Sequence, residues 1–337
     1  MQSTPSSDAA RPAHHRPDGR FQNPWPGSRP TGFGGLFRWI RERWQRPRVP
    51  LAPPPALVTP SHARPRADDG ALRITAVGHS TFLLQLGPLN ILTDPVWGER
   101  ASPLSFAGPR RRHAPGIPFD ALPPIDIVLQ SHDHYDHFDD GTVRAIARAH
   151  PDATWCAPLG VGARLRARGV TRIIERDWFG TADAGDAKVR CVPAQHFAGR
   201  TPFDRDSTLW CGWVIEAHGH RIYFVGDTGF HPDFASIGER IGACDAILMP
   251  VGAYEPRWFM KPVHMDPAEA LAAFEGLTGA HQAKATVMVA MHWGTFILTD
   301  EPPDEPPRVI RELWSRAGHP ADRLWVLSPG ETRELVR

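Results

Sequence analysis

From about residue 72 onward, short apolar runs alternate with breaks at Gly, Pro, Asp or His, a texture that predicts β-strands separated by turns. The runs fall at 72–77, 81–86, 90–93, 126–130, 154–157, 172–174, 188–192, 208–217, 221–225, 246–249, 285–290 and 324–327. Between some of them, 141–150, 160–169, 232–241, 267–275 and 307–317 have the length and apolar spacing of helices. Several of these open on Asp or Pro, as helix starts do. Strand-rich halves each followed by helices predict a layered α/β sandwich in a single domain. No repeat recurs at a solenoid period.

The pattern divides the chain at about residue 70. Residues 1–70 form an extension rich in Pro, Arg and Ser, which cannot bury enough apolar surface to order itself. Residues 71–337 are expected to form the one folded domain, and any catalytic site is expected there. Within the extension, residues 35–44 put Leu36, Phe37, Ile40 and Trp44 on one helical face with arginines elsewhere, a short basic amphipathic helix. It either docks on the following domain or meets a membrane surface, since Trp and Phe beside Arg suit the lipid headgroup boundary.

Composition narrows the chemistry. A chain of 337 residues with 41% hydrophobic content can bury a substantial core. Its 38 basic and 37 acidic side chains set up no long-range field for nucleic acid, so no nucleic-acid partner is expected. Cys156, Cys191, Cys211 and Cys244 make no C-x-x-C pair, so buried reduced thiols are expected. Neither a signal-peptide core nor a segment of membrane-spanning length is visible, and we expect a cytoplasmic protein. The 17 histidines stand out, because imidazole is the commonest protein metal ligand.

Three of those histidines stand close together. The strand Ile125-Asp126-Ile127-Val128-Leu129, apolar apart from Asp126, runs into Gln130-Ser131-His132-Asp133-His134-Tyr135-Asp136-His137. Residues two apart on extended chain point the same way, so His132 and His134 can share one ion while the following turn brings Asp136 and His137 toward a second. Burying such a cluster without metal or extensive hydrogen bonding would be costly. Zinc takes about four ligands, and further donors stand directly after apolar strands: His196, Asp227 and His292. A carboxylate with two oxygens suits Asp227 to bridging.

Ser-His-x-His-x-Asp-His, a later His, Gly-Asp-Thr-Gly and a final His-Trp-Gly resemble the metallo-β-lactamase superfamily. The resemblance implies a four-layer αβ/βα sandwich and two divalent cations, zinc first, with iron or manganese as alternatives. It assigns His132, His134 and His196 to one ion, Asp136, His137 and His292 to the other, and Asp227 to both. The strings beginning at Arg20 (RFQNPWP), Leu92 (LTDP), Ala101 (ASP), Gly108 (GP), Leu122 (LPPID) and Gly252 (GAYEPRWFMK) are similar to the N-acylphosphatidylethanolamine-hydrolysing phospholipase D family. That likeness implies phosphodiester cleavage of a phospholipid to release N-acylethanolamine, a homodimer, and contact with the inner face of a membrane.

Two metals can acidify a water and clamp a phosphoryl oxygen, so neither a G-x-S-x-G elbow nor a Walker-type loop is needed, and neither is present. Asp136 and Asp227 join His264 as the expected catalytic residues. His264 stands on a loop just before a helix capped by Asp266 with Pro267 first, and its place in the resembled family is at the active site. His79 and Asp94 follow strands and are candidates to orient ligands. Tyr135, His79, Tyr254 and Trp258 are the expected substrate contacts, with Arg257 and Lys261 beside the last two; Arg110-Arg111-Arg112-His113 is an ordinary solvated charge run or a phosphate contact. The same fold and metals would also suit a soluble lactone, sugar phosphate or cyclic phosphate. A metal-binding or membrane-docking protein without turnover is the reading from another class.

Overall fold

The computed structural model describes residues 11–28, 31–45, 51–282 and 285–335. Among the described residues, fourteen strands make two seven-stranded sheets. In chain order they are β1 (Leu72–Gly78), β2 (Thr81–Leu86), β3 (Leu89–Thr93), β4 (Ile127–Leu129), β5 (Thr154–Pro158), β6 (Ile173–Arg176), β7 (Thr181–Ala184), β8 (Ala187–Val192), β9 (Gly212–Ala217), β10 (His220–Phe224), β11 (Ala246–Pro250), β12 (Val287–Met291), β13 (Leu324–Trp325) and β14 (Thr332–Leu335). The first sheet runs β14-β1-β2-β3-β4-β5-β6 and the second β13-β12-β11-β10-β9-β8-β7.

Among the described residues there are seven α-helices: α1 (Phe33–Gln45), α2 (Asp140–Ala149), α3 (Val161–Arg166), α4 (Phe234–Ile241), α5 (Arg257–Met260), α6 (Pro267–Gln282) and α7 (Glu305–Arg316). The central strands are buried on both faces, and their period of two divides them between two cores. Leu72, Ile74, Phe82, Leu84, Ile127 and Leu129 enter the core between the sheets, which continues through Val189, Trp213 and Ile222 to Phe274 and Trp314 of α6 and α7. Val77, Leu83 and Val128 point the other way, to Val143, Ile146 and Leu165 of α2 and α3. The result is one domain of four layers, helix on sheet on sheet on helix.

Most predicted elements form within a residue or two of their expected limits, but the helix expected over 160–169 ends at Arg166, the four-residue α5 was not expected, and three further kinds of exception occur. The run at 208–217 begins its strand only at Gly212. The 267–275 helix continues to Gln282 across a non-helical Gly279 (φ 66°). Edge strands β7 and β14 were not expected, because Thr-Ala-Asp-Ala and Thr-Arg-Glu-Leu carry little of the apolar alternation that marks a half-buried strand. Cys156, Cys191, Cys211 and Cys244 are free and buried, and burial pushes the Cys156 and Cys244 thiols up to about 12, far from the reactive thiolate range.

Strand direction positions the site. In the first sheet β2 pairs antiparallel with both β1 and β3, and β3 is parallel to β4, so β1, β3 and β4 point one way. In the second, β9 is antiparallel to β8 and β10, while β10, β11 and β12 are parallel. His79, Asp94, the 130–137 loop, His196, Asp227 and His292 all follow the carboxyl ends of these co-directional strands. Ligand sites form at such strand ends in open α/β sheets.

The extension lies along this domain. His14 and His15 put their Nε2 atoms 2.7 and 2.8 Å from the two carboxylate oxygens of Asp177, and His14 stacks on Trp178. Trp25 donates to Asp233 and stacks on His231 at 4.1 Å. Helix α1 docks through Trp39, which donates to Asp300 and stacks on Phe259, and through Arg38 over the Trp258 ring. The expected apolar face is not the docking face: Phe37 is 69% exposed and Trp44 87%. Residues 1–10 of the extension lie outside the described residues.

Candidate metal centre

The structure brings all seven expected ligands into one buried cluster. His132 Nε2 lies 2.9 Å from His134 Nδ1, and His196 Nε2 lies 3.1 Å from that same atom, so three neutral-imidazole donors face one point. Asp136, His137 and His292 form a second group that includes His79. Asp227 stands between them. Its Oδ2 is 3.1 Å from His137 Nε2 and His292 Nε2, 3.8 Å from His196 Nε2 and 4.0 Å from His132 Nε2.

Several of the expected ligands are held from behind. The Asp94 carboxylate accepts from the Ser131 N–H at 2.7 Å and the Ser131 hydroxyl at 2.5 Å, and its Oδ2 is 2.6 Å from His137 Nδ1. That contact fixes the His137 tautomer and turns Nε2 toward Asp227. Gln130 donates through Nε2 to the carbonyls of His132 (2.8 Å) and His137 (3.0 Å). His196 Nδ1 meets the Val263 carbonyl at 2.9 Å. His79 Nε2 is 3.0 Å from Asp136 Oδ2, and its carbonyl accepts the His292 N–H.

Local backbone strain is concentrated here. His79, Asp94 and His292 hold φ at 58°, 30° and 63°, the left-handed region that L-residues enter at a cost and that clusters at functional sites. Gly226, before Asp227, also has φ 68°, and a Cβ there would lie 2.7 Å from the Cys211 carbonyl oxygen. Only glycine fits that approach.

The donor set fits divalent cations. Burial depresses protonation of His132, with His137 and His134 nearby adding to the effect, and it takes His134 down to about 4 and His196 to about 3. These three are therefore uncharged at neutral pH, the form that coordinates metal. Burial opposes charge on His137 and His292 as well, but Asp227 and Asp136 outweigh it, raising His137 well above the ordinary imidazole value and His292 to about 9. The second group thus demands positive charge at its centre. His137 Nε2, both nitrogens of His292, and Asp227 Oδ1 are buried without a hydrogen-bond partner, although His137 and His292 approach Asp227 Oδ2 closely. Buried polar atoms are rarely left so, and two of these, His137 Nε2 and His292 Nε2, face the Asp227 carboxylate between the two groups.

The remaining candidates divide. The buried His264 ring lies 5.1 Å from His196 and 5.2 Å from His292, with Nδ1 unpartnered. Behind it Asp266 caps α6, accepting from the Glu269 N–H at 2.9 Å. Tyr135 borders the cluster within the ligand loop, under the Arg200 guanidinium at 3.9 Å, and donates its hydroxyl to the Arg200 carbonyl. Tyr254 donates to Glu305 at 2.6 Å, and Trp258 lies under Arg38. Neither makes a hydrogen bond or ring contact with the cluster, and both belong to the packing around α5. In the basic run, Arg111 donates to the Gly98 and Val96 carbonyls rather than to solvent. Arg200 was not anticipated: its Nη1 donates to the Asp133 and Phe138 carbonyls and so braces the ligand loop, a role no local motif announces.

Comparison with known proteins agrees with this geometry. The domain described as "Beta-lactamase superfamily domain" matches residues 89–293. An uncharacterized protein of Mycobacterium tuberculosis is 43% identical over 86% of this chain and 76% of its own length. The N-acyl-phosphatidylethanolamine-hydrolyzing phospholipase D 1 of Caenorhabditis elegans is 34% identical, covering 87% of this chain and 86% of that one. Among solved structures, a metallo hydrolase from the archaeon Ignicoccus hospitalis superposes with a TM-score of 0.60 at 24% identity, covering 79% of this chain and 99% of its own. The chain belongs to the metallo-β-lactamase superfamily, as a metal-dependent hydrolase.

Proposed function

We propose that this protein is a dinuclear-metal phosphodiesterase of the phospholipase D type, releasing N-acylethanolamine and phosphatidic acid from N-acylphosphatidylethanolamine. The observation that carries the metal count is the Asp227 Oδ2 atom, which lies within 4.0 Å of Nε2 atoms from both histidine groups. Likeness to the nematode phospholipase over most of both chains supports the substrate. His132, His134 and His196 would hold one ion, Asp136, His137 and His292 the other, with Asp227 shared. Bound there, two divalent cations, zinc by preference, supply Lewis-acid charge and a water acidic enough to ionise near neutral pH.

The chain's own residues do the rest. Asp94 and His79 orient His137 and Asp136, so their lone pairs face the centre with little freedom to be lost on binding. Burial holds His264 well below the ordinary imidazole value, so it meets the substrate as a neutral hydrogen-bond donor facing the leaving oxygen. A groove of about 1110 Å³ along Asn23, Trp25 and Phe197 has His196 in its wall and gives room for a headgroup and the start of a chain. Phe37, Ile40 and Trp44 present an exposed stripe on α1 that suits the lipid headgroup region. No helix among the described residues is long and apolar enough to cross a membrane, so that contact would be peripheral.

Zinc-loaded protein incubated with N-acylphosphatidylethanolamine vesicles and, separately, with cyclic and sugar phosphodiesters tests the reading. N-acylethanolamine detected by mass spectrometry is the expected result. Turnover of the soluble compounds alone would replace the lipid with a soluble substrate.

A further inference from the structure

His196 differs from the other ligands in how its backbone is held. It stands four residues past the end of β8, off the sheet ladder, and is 1% exposed, so its N–H and C=O need partners other than water. Gln195 and Gly229 tie the preceding residue to the 227–229 turn, with the Gln195 N–H donating to Thr228 Oγ1 and the Gly229 N–H to the Gln195 carbonyl. Neither bond reaches His196 itself.

Both of its backbone groups go to one side chain. The His196 N–H donates to Asn23 Oδ1 at 3.2 Å, and Asn23 Nδ2 donates to the His196 carbonyl at 2.8 Å. Asn23 is itself fixed, because its Oδ1 also accepts from Trp210 Nε1 at 3.1 Å and its Nδ2 also donates to the Ser28 carbonyl at 3.1 Å. Asn23 lies outside the matched superfamily domain at 89–293, in the extension anchored by His14, His15, Phe21 and Trp25.

We infer that Asn23 is a positioning residue of the metal centre: the extension supplies the clamp that sets His196 at the distance at which it can share an ion with His132 and His134. This rests on the metal-centre reading above. Only an amide side chain offers a donor and an acceptor side by side to span one residue's N–H and C=O. Aspartate keeps the acceptor and loses the donor; alanine loses both and leaves two buried backbone groups without partners. Outer contacts of this kind typically cost about 10–100-fold in metal affinity when removed.

The test measures zinc retention by full-length wild type, Asn23→Ala, Asn23→Asp and Gln22→Ala against a graded chelator, alongside the visible spectrum of the cobalt-loaded forms and the melting temperature of each apoprotein. Gln22 is the neighbouring control, since its side chain donates only to the exposed Ala13 carbonyl. The expected result is about 10–100-fold weaker retention of one ion in Asn23→Ala, a smaller loss in Asn23→Asp, an altered cobalt spectrum in both, and wild-type behaviour in Gln22→Ala. Unchanged retention and spectrum in a folded Asn23→Ala overturn the inference. Should Asn23→Ala fail to fold, Asn23→Asp decides in the same way. If neither folds, Asn23 serves the fold alone and the inference is overturned. Wild-type protein that holds no zinc or cobalt overturns the metal-centre reading itself, and this inference with it.

Discussion

The His/Asp cluster and the N-terminal extension are both ordered, but by opposite means. The cluster sits at the ends of strands buried on both faces, so the hydrophobic core fixes the backbone and hydrogen bonds only aim the side chains. The extension has almost no core of its own: Phe21 is its buried anchor, and the rest is held by side chains such as His14, Trp25 and Trp39 bonded or stacked onto the domain. A site can thus be rigid where the sheet dictates it and conditional where a polar strap completes it. Substitutions in the two regions should therefore differ in kind, the first set changing chemistry and the second stability or affinity.

The largest effect is expected at Asp227. Asp227→Asn keeps the shape but removes the charge that faces four histidines, and activity of the zinc-loaded protein should fall by more than the about 10–100-fold that outer contacts cost. Elemental analysis should show the loss of at least one ion relative to wild type. Activity within a few-fold of wild type would mean that Asp227 is no ligand. Next comes Asp94→Asn. This carboxylate never faces the cluster's centre, yet it sets the His137 tautomer and the ligand loop, so a drop of about 10–100-fold in zinc retention is expected without loss of fold. Unaltered retention by chelator titration would show that Ser131 and Gln130 hold the loop without it.

A third measurement addresses the strap through pH. His231 lies stacked between Trp25 and Phe234 at 4.1 Å from each, and burial lowers it to about 4 from the ordinary 6.5. Its unfolded form binds a proton across that interval and its folded form does not, so its contribution to stability is present above pH 6.5 and lost as pH falls toward 4. At full extent this amounts to about 3 kcal/mol. His231→Phe preserves the stack and removes the proton. Denaturation midpoints of the variant and wild type should therefore diverge between pH 6.5 and 4 and run parallel above it. Parallel curves throughout would show that the ring is not neutral in the folded state.

The same contrast explains what the sequence disclosed. The strands and the seven expected ligands were legible because the ligands stand in the short segments that follow apolar runs, and period-two burial leaves a strong pattern in the amino acids. Asn23 was visible only as one letter of a family resemblance, because a side chain that clamps a backbone 173 residues away leaves no periodicity behind. Arg200 was hidden for the same reason. Tyr254 and Trp258, read from aromatic residues beside basic ones as a substrate wall, stand against Glu305 of α7 and Arg38 of α1. Composition reveals what a segment can do, while the use made of it depends on neighbours distant in the chain.

The smallest expected effect concerns α1, where one helix carries both behaviours. Trp39 is committed to the domain through Asp300 and Phe259, so Trp39→Ala should lower stability by about 1 kcal/mol from the lost stack and hydrogen bond. Phe37, Ile40 and Trp44 lie on the outer side, 69%, 41% and 87% exposed, and surface changes there fall within about 0.5 kcal/mol. Replacing all three with serine should leave the melting temperature nearly unchanged while reducing co-sedimentation with anionic phospholipid vesicles. If the triple variant melts well below wild type, the stripe packs against protein; if it sediments as wild type does, the membrane contact lies elsewhere. Stability that falls with Trp39 and vesicle binding that falls with the stripe would show one short helix divided by face between the fold and its surroundings.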